Sequence, residues 1–327
     1  MLKEALYYEK LNKHMVRCNL CPHNCLIKPD KSGLCLIRKN IEGILYQSSY
    51  NEISSISIDP IEKKPLYHFY PGSTILSVGT NGCNLSCDFC QNWQISTQIT
   101  NRETISIDKL LNMAQKENSI GIAYTYNEPL IWYEFVKDCA KKFKEKRFKN
   151  VLVTNGNINE KPLKDLVEYI DAANVDLKGF TNDFYKWVKG DFKTTLETIK
   201  ILLKEKVHVE LTNLVIPTKN DNIEIFKEMC SWIANLDKNI PLHLSRYFPS
   251  YNLNIPQTSS KTLSNFYSLA KNYLNYVYVG NIHIEGTVNT YCPECNSLLV
   301  RRDILNIENH LKEKTCPFCK KQLYFVV

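Results

Sequence analysis

The chain has 327 residues, 44% of them apolar and 23% charged, ordinary values for a globular protein of roughly two domains. No apolar run approaches the ~20 residues that cross a bilayer. The charged start MLKEALYYEK lacks the apolar stretch of a secretory signal. A cytoplasmic protein with no membrane partner is therefore expected. Eleven of its 13 cysteines fall into three tight groups, which in a reducing compartment read as metal sites rather than disulfides. The formal charge of +7 invites a nucleic-acid reading. Ligation weakens it: a [4Fe-4S]2+ core on three thiolates carries about −1, and a divalent ion on four thiolates about −2. With all three groups filled, the outer two by divalent ions, the net charge would be near +2, roughly, and the basic balance argues for no particular partner.

Residues 1–73 are turn-rich and hold the first group, Cys18, Cys21, Cys25 and Cys35. Four ligands favour a closed site. Zinc and an iron–sulfur cluster both fit the spacing, and His23 is a further possible ligand. Residues 74–286 alternate strand-like runs (75–79, 120–124, 150–154, 173–177, 207–216, 241–246, 276–280) with amphipathic stretches near 107–118, 129–147, 160–170, 193–205, 222–236 and 258–274. That alternation predicts βαβ units on a parallel sheet, closed into a full or partial barrel or left as an open doubly wound sheet. No GxGxxG follows the first strand, which disfavours a dinucleotide fold. Residues 287–327 hold Cys292-Pro293-Glu294-Cys295 and Cys316-Pro317-Phe318-Cys319, the spacing of a four-cysteine zinc ribbon. A rubredoxin-like iron or a second cluster is the alternative.

The central group follows the first strand directly, as Cys83, Cys87 and Cys90 in a CxxxCxxC spacing. Three thiolates bind three irons of a cubane and leave the fourth open, whereas an electron-transfer ferredoxin offers four ligands per cluster. A three-cysteine zinc site completed by a distant histidine is the competing reading. Cys139 shares an apolar stripe with Trp132, Phe135, Val136 and Phe143, and Cys230 one with Ile223, Phe226 and Ile233; both read as core. Later strand ends carry polar residues where a barrel places its active site. These are Tyr126-Asn127-Glu128-Pro129 (also a plausible helix start), Thr154-Asn155-Gly156, and Asp176 with Lys178, two apart and so on one side of a strand. An ordinary surface ion pair is the competing reading of the last. His243 and Arg246 lie at the sixth strand but on opposite parities. His208, Glu210 and Thr212 share a face of the fifth.

CNLSCDFC, with Phe89 before its third cysteine, resembles the cluster loop of the radical S-adenosylmethionine (radical SAM) superfamily. The resemblance implies an α/β fold, a partial (β/α)6-type barrel with cysteine-rich metal-binding appendages at both termini. It implies a [4Fe-4S] cluster on Cys83, Cys87 and Cys90, and S-adenosylmethionine as cofactor. Asn127 and Glu128 stand where the superfamily binds the methionine amine, without its two glycines. Phe89, Asn155, Asp176, Lys178, His243 and Arg246 are the further cofactor contacts it suggests. The implied activity is reductive cleavage of S-adenosylmethionine to a 5′-deoxyadenosyl radical that takes hydrogen from a substrate. CNLCPHNCLI…GLC, the run IDPIEKKPLYHFYPG and the terminal CPxC pairs resemble the AmmeMemoRadiSam-system radical enzymes. That likeness implies Memo-like and AMME-region-like partners beside a flavodoxin- or ferredoxin-type electron donor. The Asp176/Lys178 pair resembles that of glycyl-radical activases. An activase of the pyruvate formate-lyase type, an RNA-modifying radical enzyme and a non-catalytic iron–sulfur/zinc metalloprotein are the rival readings.

Overall fold

Each strand-like run of the middle region forms a strand close to its expected limits. In the computed structural model, which describes residues 2–303 and 306–327, the main sheet comprises β1 (Ser55–Pro60), β2 (Thr74–Gly79), β3 (Gly121–Tyr124), β4 (Lys149–Thr154), β5 (Ala172–Asp176), β6 (His208–Val215), β7 (Leu242–Arg246) and β8 (Val277–Gly280). Their order across the sheet follows the chain, and β2 to β8 are all parallel. This is one strand more than six βα units supply. β1 lies within the N-terminal segment and pairs antiparallel with β2, from Ser55 opposite Gly79 to Pro60 opposite Thr74. β1 and β8 each pair on one side only, so the barrel is open between them.

The crossovers are helices α1 (Ile107–Lys116), α2 (Tyr133–Glu145), α3 (Glu160–Val167), α4 (Phe192–Lys204), α5 (Ile223–Asp237) and α6 (Ser260–Ala270). Several begin where the sequence supplies a capping oxygen. Ser106, Asp191, Asn222 and Ser259 each accept a first-turn backbone N–H of α1, α4, α5 and α6. The expected helix at 129–147 divides into a 3-10 turn, Pro129–Trp132, and α2. A short helix at Asn182–Trp187 was not anticipated. Gly121 opens β3 because a Cβ there would lie 1.9 Å from the Lys149 carbonyl oxygen. Cys139 and Cys230 are fully buried in the main core, as expected.

The first fifty residues fold into two small antiparallel sheets, of Lys3–Glu4, Arg38–Ile41 and Ile44–Gln47, and of Tyr8–Lys10, Val16–Cys18 and Leu26–Ile27. A buried Arg38–Glu134 pair, 3.0 Å apart, ties them to α2. The C-terminal segment forms a third small sheet (Thr290–Tyr291, Leu298–Arg302, Ile307–Asn309). It docks on the barrel through His68. The His68 ring stacks on Phe325 with centroids 3.9 Å apart. Its Nδ1 lies 2.6 Å from the Tyr324 carbonyl and its Nε2 2.6 Å from the Tyr278 hydroxyl. A neutral ring satisfies both contacts, Nδ1–H donating and Nε2 accepting.

Burial holds the His68 pKa down to about 3, against a usual 6.5. The unfolded chain therefore takes this proton first, and stability is lost as pH falls below 6.5. Between pH 7 and pH 5 the expected loss from this residue is about 2 kcal/mol. A His68→Gln variant should show a correspondingly flatter pH dependence of its urea midpoint. An unchanged slope would rule out His68 as the source.

Candidate metal and cofactor site

The loop after β2 turns where the chain comes close to its neighbours. Gly82 has φ +91°, and a Cβ there would meet the Cys35 carbonyl oxygen at 2.1 Å. Asn127 braces the loop: its Oδ1 accepts from Thr80 N at 3.1 Å and its Nδ2 donates to the Gly82 carbonyl at 2.8 Å. Both ends of Asn127 are thus engaged with the backbone that presents Cys83. Tyr126, beside it, sits at φ +72°, an uncommon conformation for a non-glycine residue.

Cys83, Cys87 and Cys90 line one cavity of about 350 Å³ at the C-terminal ends of the strands, within the range of small-molecule sites. Phe89, Asn127, Glu128, Asn155, Asp176 and Lys178 line it too. Six of the eight expected cofactor contacts are thereby gathered with the cysteines, and the other two, His243 and Arg246, are not. Phe89 is buried against Trp187, with ring centroids 5.3 Å apart, and walls the cavity on one side. Asn155 Nδ2 approaches Cys83 Sγ at 3.7 Å and donates to Asn84 Oδ1 at 2.9 Å.

Glu128 is buried, and its carboxylate accepts from Leu130 N at 2.9 Å, Thr154 Oγ1 at 2.7 Å and Asn155 N at 2.7 Å. Burial pushes its pKa up to about 7 against those three donors. Lys178 Nζ lies 2.9 Å from Asp176 Oδ2. Burial alone would lower the Lys178 pKa, but Asp176 and the Cys87 thiol outweigh it and raise it. The cavity thus offers a carboxylate, a cation and a second carboxylate around three sulfurs. Burial also drives the Cys83 thiol well above its ordinary value and Cys87 up to about 12. Iron ligation opposes that, since a coordinating thiol is deprotonated outright.

The donor set fits a [4Fe-4S] cluster. A single tetrahedral ion at 2.3 Å from each sulfur requires neighbouring sulfurs about 3.8 Å apart, whereas a cubane spreads them to about 6 Å. Among the described residues, only Cys292, Cys295, Cys316 and Cys319 bring three or more potential ligands within 4.8 Å of one another. Cys83, Cys87 and Cys90 are wider than that, which suits the cubane and disfavours a lone ion. The C-terminal four suit one tetrahedral ion: Cys292 and Cys319 sulfurs are 3.6 Å apart, Cys295 and Cys316 3.8 Å. Two similar turns present them, with Asn296 N bonded to the Cys292 carbonyl and Lys320 N to that of Cys316, each at 3.0 Å.

His243 and Arg246 are corrections. Neither lines the cavity; Ser245, between them, does. His243 faces the barrel interior one layer lower, with Nε2 2.7 Å from buried Glu210. Arg246 has the opposite parity and no bend brings it round. Its Nε donates to the Thr258 carbonyl at 2.8 Å, and its guanidinium lies over Phe248. His208 joins the Glu210 network, while Thr212, two residues on, reaches the cavity. His23 places Nε2 2.6 Å from the Asn84 carbonyl, so that nitrogen donates a hydrogen bond and is not free for a metal.

A second polar cluster at the rim escaped the sequence reading. Lys64 Nζ lies 2.8 Å from Asp59 Oδ2 and 4.8 Å from the Tyr126 ring centre, and Tyr126 Oη donates to Asp59 at 2.7 Å. Burial alone would raise the Asp59 pKa; Lys64 and Tyr126 outweigh it and hold it well below the usual carboxylate range. Both Asp59 and Lys64 belong to the run IDPIEKKPLYHFYPG, which was the only available signal.

Comparison with known proteins agrees with this geometry. Residues 77–233 match the family model of the radical SAM superfamily. The chain is 41% identical to an uncharacterized protein of Methanocaldococcus jannaschii over the full length of both. It is 23% identical to the 7-carboxy-7-deazaguanine synthase of the same organism, over 57% of this chain and 81% of that one. A radical SAM methyltransferase from Sphaerobacter thermophilus has a similar fold, with a TM-score of 0.51 at 16% identity, over 64% of this chain and 67% of that one. No helix among the described residues is long and apolar enough to cross a membrane.

Proposed function

The chain belongs to the radical SAM superfamily, and from that premise we propose that it cleaves S-adenosylmethionine reductively at the cavity formed by Cys83, Cys87 and Cys90, to give methionine and a 5′-deoxyadenosyl radical that takes hydrogen from a substrate. One observation carries the reading: among the described residues, three cysteines and no fourth line a cavity that also holds Glu128, Asp176 and Lys178. When bound, the cluster supplies the single electron that splits the sulfonium bond. The chain's own residues do the rest. Asn127 and Gly82 set the loop that presents Cys83. Asn155 offers an N–H toward the Cys83 sulfur, which steadies a thiolate there. Glu128 receives the cofactor's ammonium, whose positive charge offsets the cost of ionising a buried carboxylate. Asp176 and Lys178 receive ribose hydroxyls and the carboxylate, opposite partners for opposite charges. Phe89, Val153 and Leu214 give the cavity apolar walls that exclude water from the reacting carbon.

The finer assignment rests on the N-terminal CNLCPHNC run and the terminal CPxC pairs. They support an AmmeMemoRadiSam-type enzyme, acting beside Memo-like and AMME-region-like proteins, reduced by a flavodoxin- or ferredoxin-type donor. The C-terminal sulfur spacing supports zinc as a structural ion there. Anaerobically reconstituted protein given dithionite and S-adenosylmethionine should release 5′-deoxyadenosine and methionine in equal amounts. A fully iron- and sulfide-loaded sample that releases neither overturns the proposal.

A further inference from the structure

Cys18, Cys21, Cys25 and Cys35 line one enclosed chamber, together with Arg38 and Asn84. The local backbone gathers them. Cys18 ends its strand and bonds its N–H to the Cys25 carbonyl at 3.0 Å, and Asn24 N closes a turn onto the Cys21 carbonyl at 3.1 Å. Gly33 on the returning chain lies beside Cys25, a Cβ there being within ordinary contact of the sulfur at 3.6 Å. The sequence left zinc and a cluster open for this group. The spacing of the ligand atoms favours the cluster. No three of these cysteines, even with His23, have ligand atoms within 4.8 Å of one another, because the C-terminal four are the only such set among the described residues. A lone tetrahedral ion needs about 3.8 Å between sulfurs, a cubane about 6 Å. The same chain therefore closes its C-terminal thiols to single-ion spacing and holds its N-terminal thiols apart.

We propose that Cys18, Cys21, Cys25 and Cys35 hold a second [4Fe-4S] cluster, closed by four thiolates and in backbone contact with the loop of the first. Two further observations support it. Arg38 is buried in the chamber wall, and its Nε–H has no hydrogen-bond partner. A cluster sulfide or thiolate is the acceptor that such a buried donor requires. The chamber also touches the loop of the first site twice. The Cys35 carbonyl packs on Gly82, immediately before Cys83, and His23 donates to the carbonyl of Asn84, immediately after it. With four thiolates no iron is left open, so this site carries electrons and does not bind S-adenosylmethionine. One electron from a ferredoxin- or flavodoxin-class donor takes this cluster from 2+ to 1+. The same electron then passes to the mouth site, which goes from 2+ to 1+ as this one returns to 2+. No bond or proton changes hands. The proposed function enters only as the destination of that electron.

The test uses the full chain with Cys83, Cys87 and Cys90 all replaced by alanine, reconstituted anaerobically with iron and sulfide. It should retain about four irons and four sulfides, and after dithionite give a reduced-cubane EPR signal that S-adenosylmethionine leaves unchanged. Wild-type protein should hold about eight of each with about one zinc, and S-adenosylmethionine should shift only part of its signal. A triple variant without iron and sulfide overturns the proposal. Should that variant not fold, wild-type protein with about four irons and about two zincs overturns it equally. A wild type that never cleaves S-adenosylmethionine, beside a triple variant that still holds its cubane, would overturn the proposed function and leave this site standing.

Discussion

Replacing Cys87 by alanine is expected to abolish 5′-deoxyadenosine formation while leaving the chain folded. Cys87 is half-buried and lines the cavity, and it is one of three sulfurs that do so among the described residues. The loss of packing is small, since a single partly exposed sulfur is removed: about 1 kcal/mol or less. The loss of chemistry is large, because two thiolates do not hold a cubane, and without the cluster no electron reaches the sulfonium. Turnover should fall to the dithionite-only background in a chromatographic assay for 5′-deoxyadenosine. Cys139→Ala is the control. Cys139 is fully buried in the core, on the face of α2 that meets Tyr124. Its loss should cost about 1–2 kcal/mol of stability and leave turnover per folded molecule unchanged. If the two variants exchange these behaviours, the assignment of the central cysteines as ligands is wrong.

The strands of the barrel were legible because their apolar runs are buried on both faces and bounded by clear helix starts. Their ends were legible as sites because polar residues there interrupt the apolar pattern: Glu128, Asn155, Asp176 and Lys178 all line the cavity. Parity was the harder matter. His243 and Arg246 lie three residues apart on a strand that does not bend, so one faces the interior and the other the helices. Neither reaches the mouth, while the unremarkable Ser245 does. Depth was invisible too. His208, Glu210 and Thr212 share a face, yet the first two close the lower barrel and only the third meets the cavity. The N-terminal segment hid more. Ser55–Pro60 reads as a turn-rich stretch with Pro60 at its end, and its place in the sheet depends on pairing with β2, a contact no local pattern announces. The Lys64–Asp59–Tyr126 cluster likewise joins residues more than sixty positions apart.

Glu210→Gln is expected to destabilise the protein by about 3–5 kcal/mol at pH 7, the cost of breaking a buried charged network from one side. Glu210 is fully buried and accepts four hydrogen bonds: from Tyr67 N at 2.9 Å, His68 N at 2.7 Å, His208 Nε2 at 3.0 Å and His243 Nε2 at 2.7 Å. Glutamine keeps one acceptor oxygen and turns the other position into a donor, so two of the four donors face an N–H and lose their partner. The network spans the lower barrel from β6 to β7 and holds the Tyr67–His68 backbone, on which the C-terminal segment docks. Its loss should therefore loosen that segment as well as the barrel. Burial alone would raise the Glu210 pKa; the bonds from His208 and His243 outweigh it and hold it well below the usual carboxylate range. A carboxylate held low contributes stability above the unfolded value near 4.5, and that contribution is lost as pH falls through the lower folded value. The gap between wild type and variant should thus be widest at neutral pH and narrow once the pH drops below about 4. Urea midpoints at pH 7 and about pH 3 measure it. A difference under about 1 kcal/mol at pH 7 would mean that the four bonds do not support the barrel. If per-molecule turnover instead fell with unchanged stability, His243 and Glu210 would belong to the chemistry at the mouth after all.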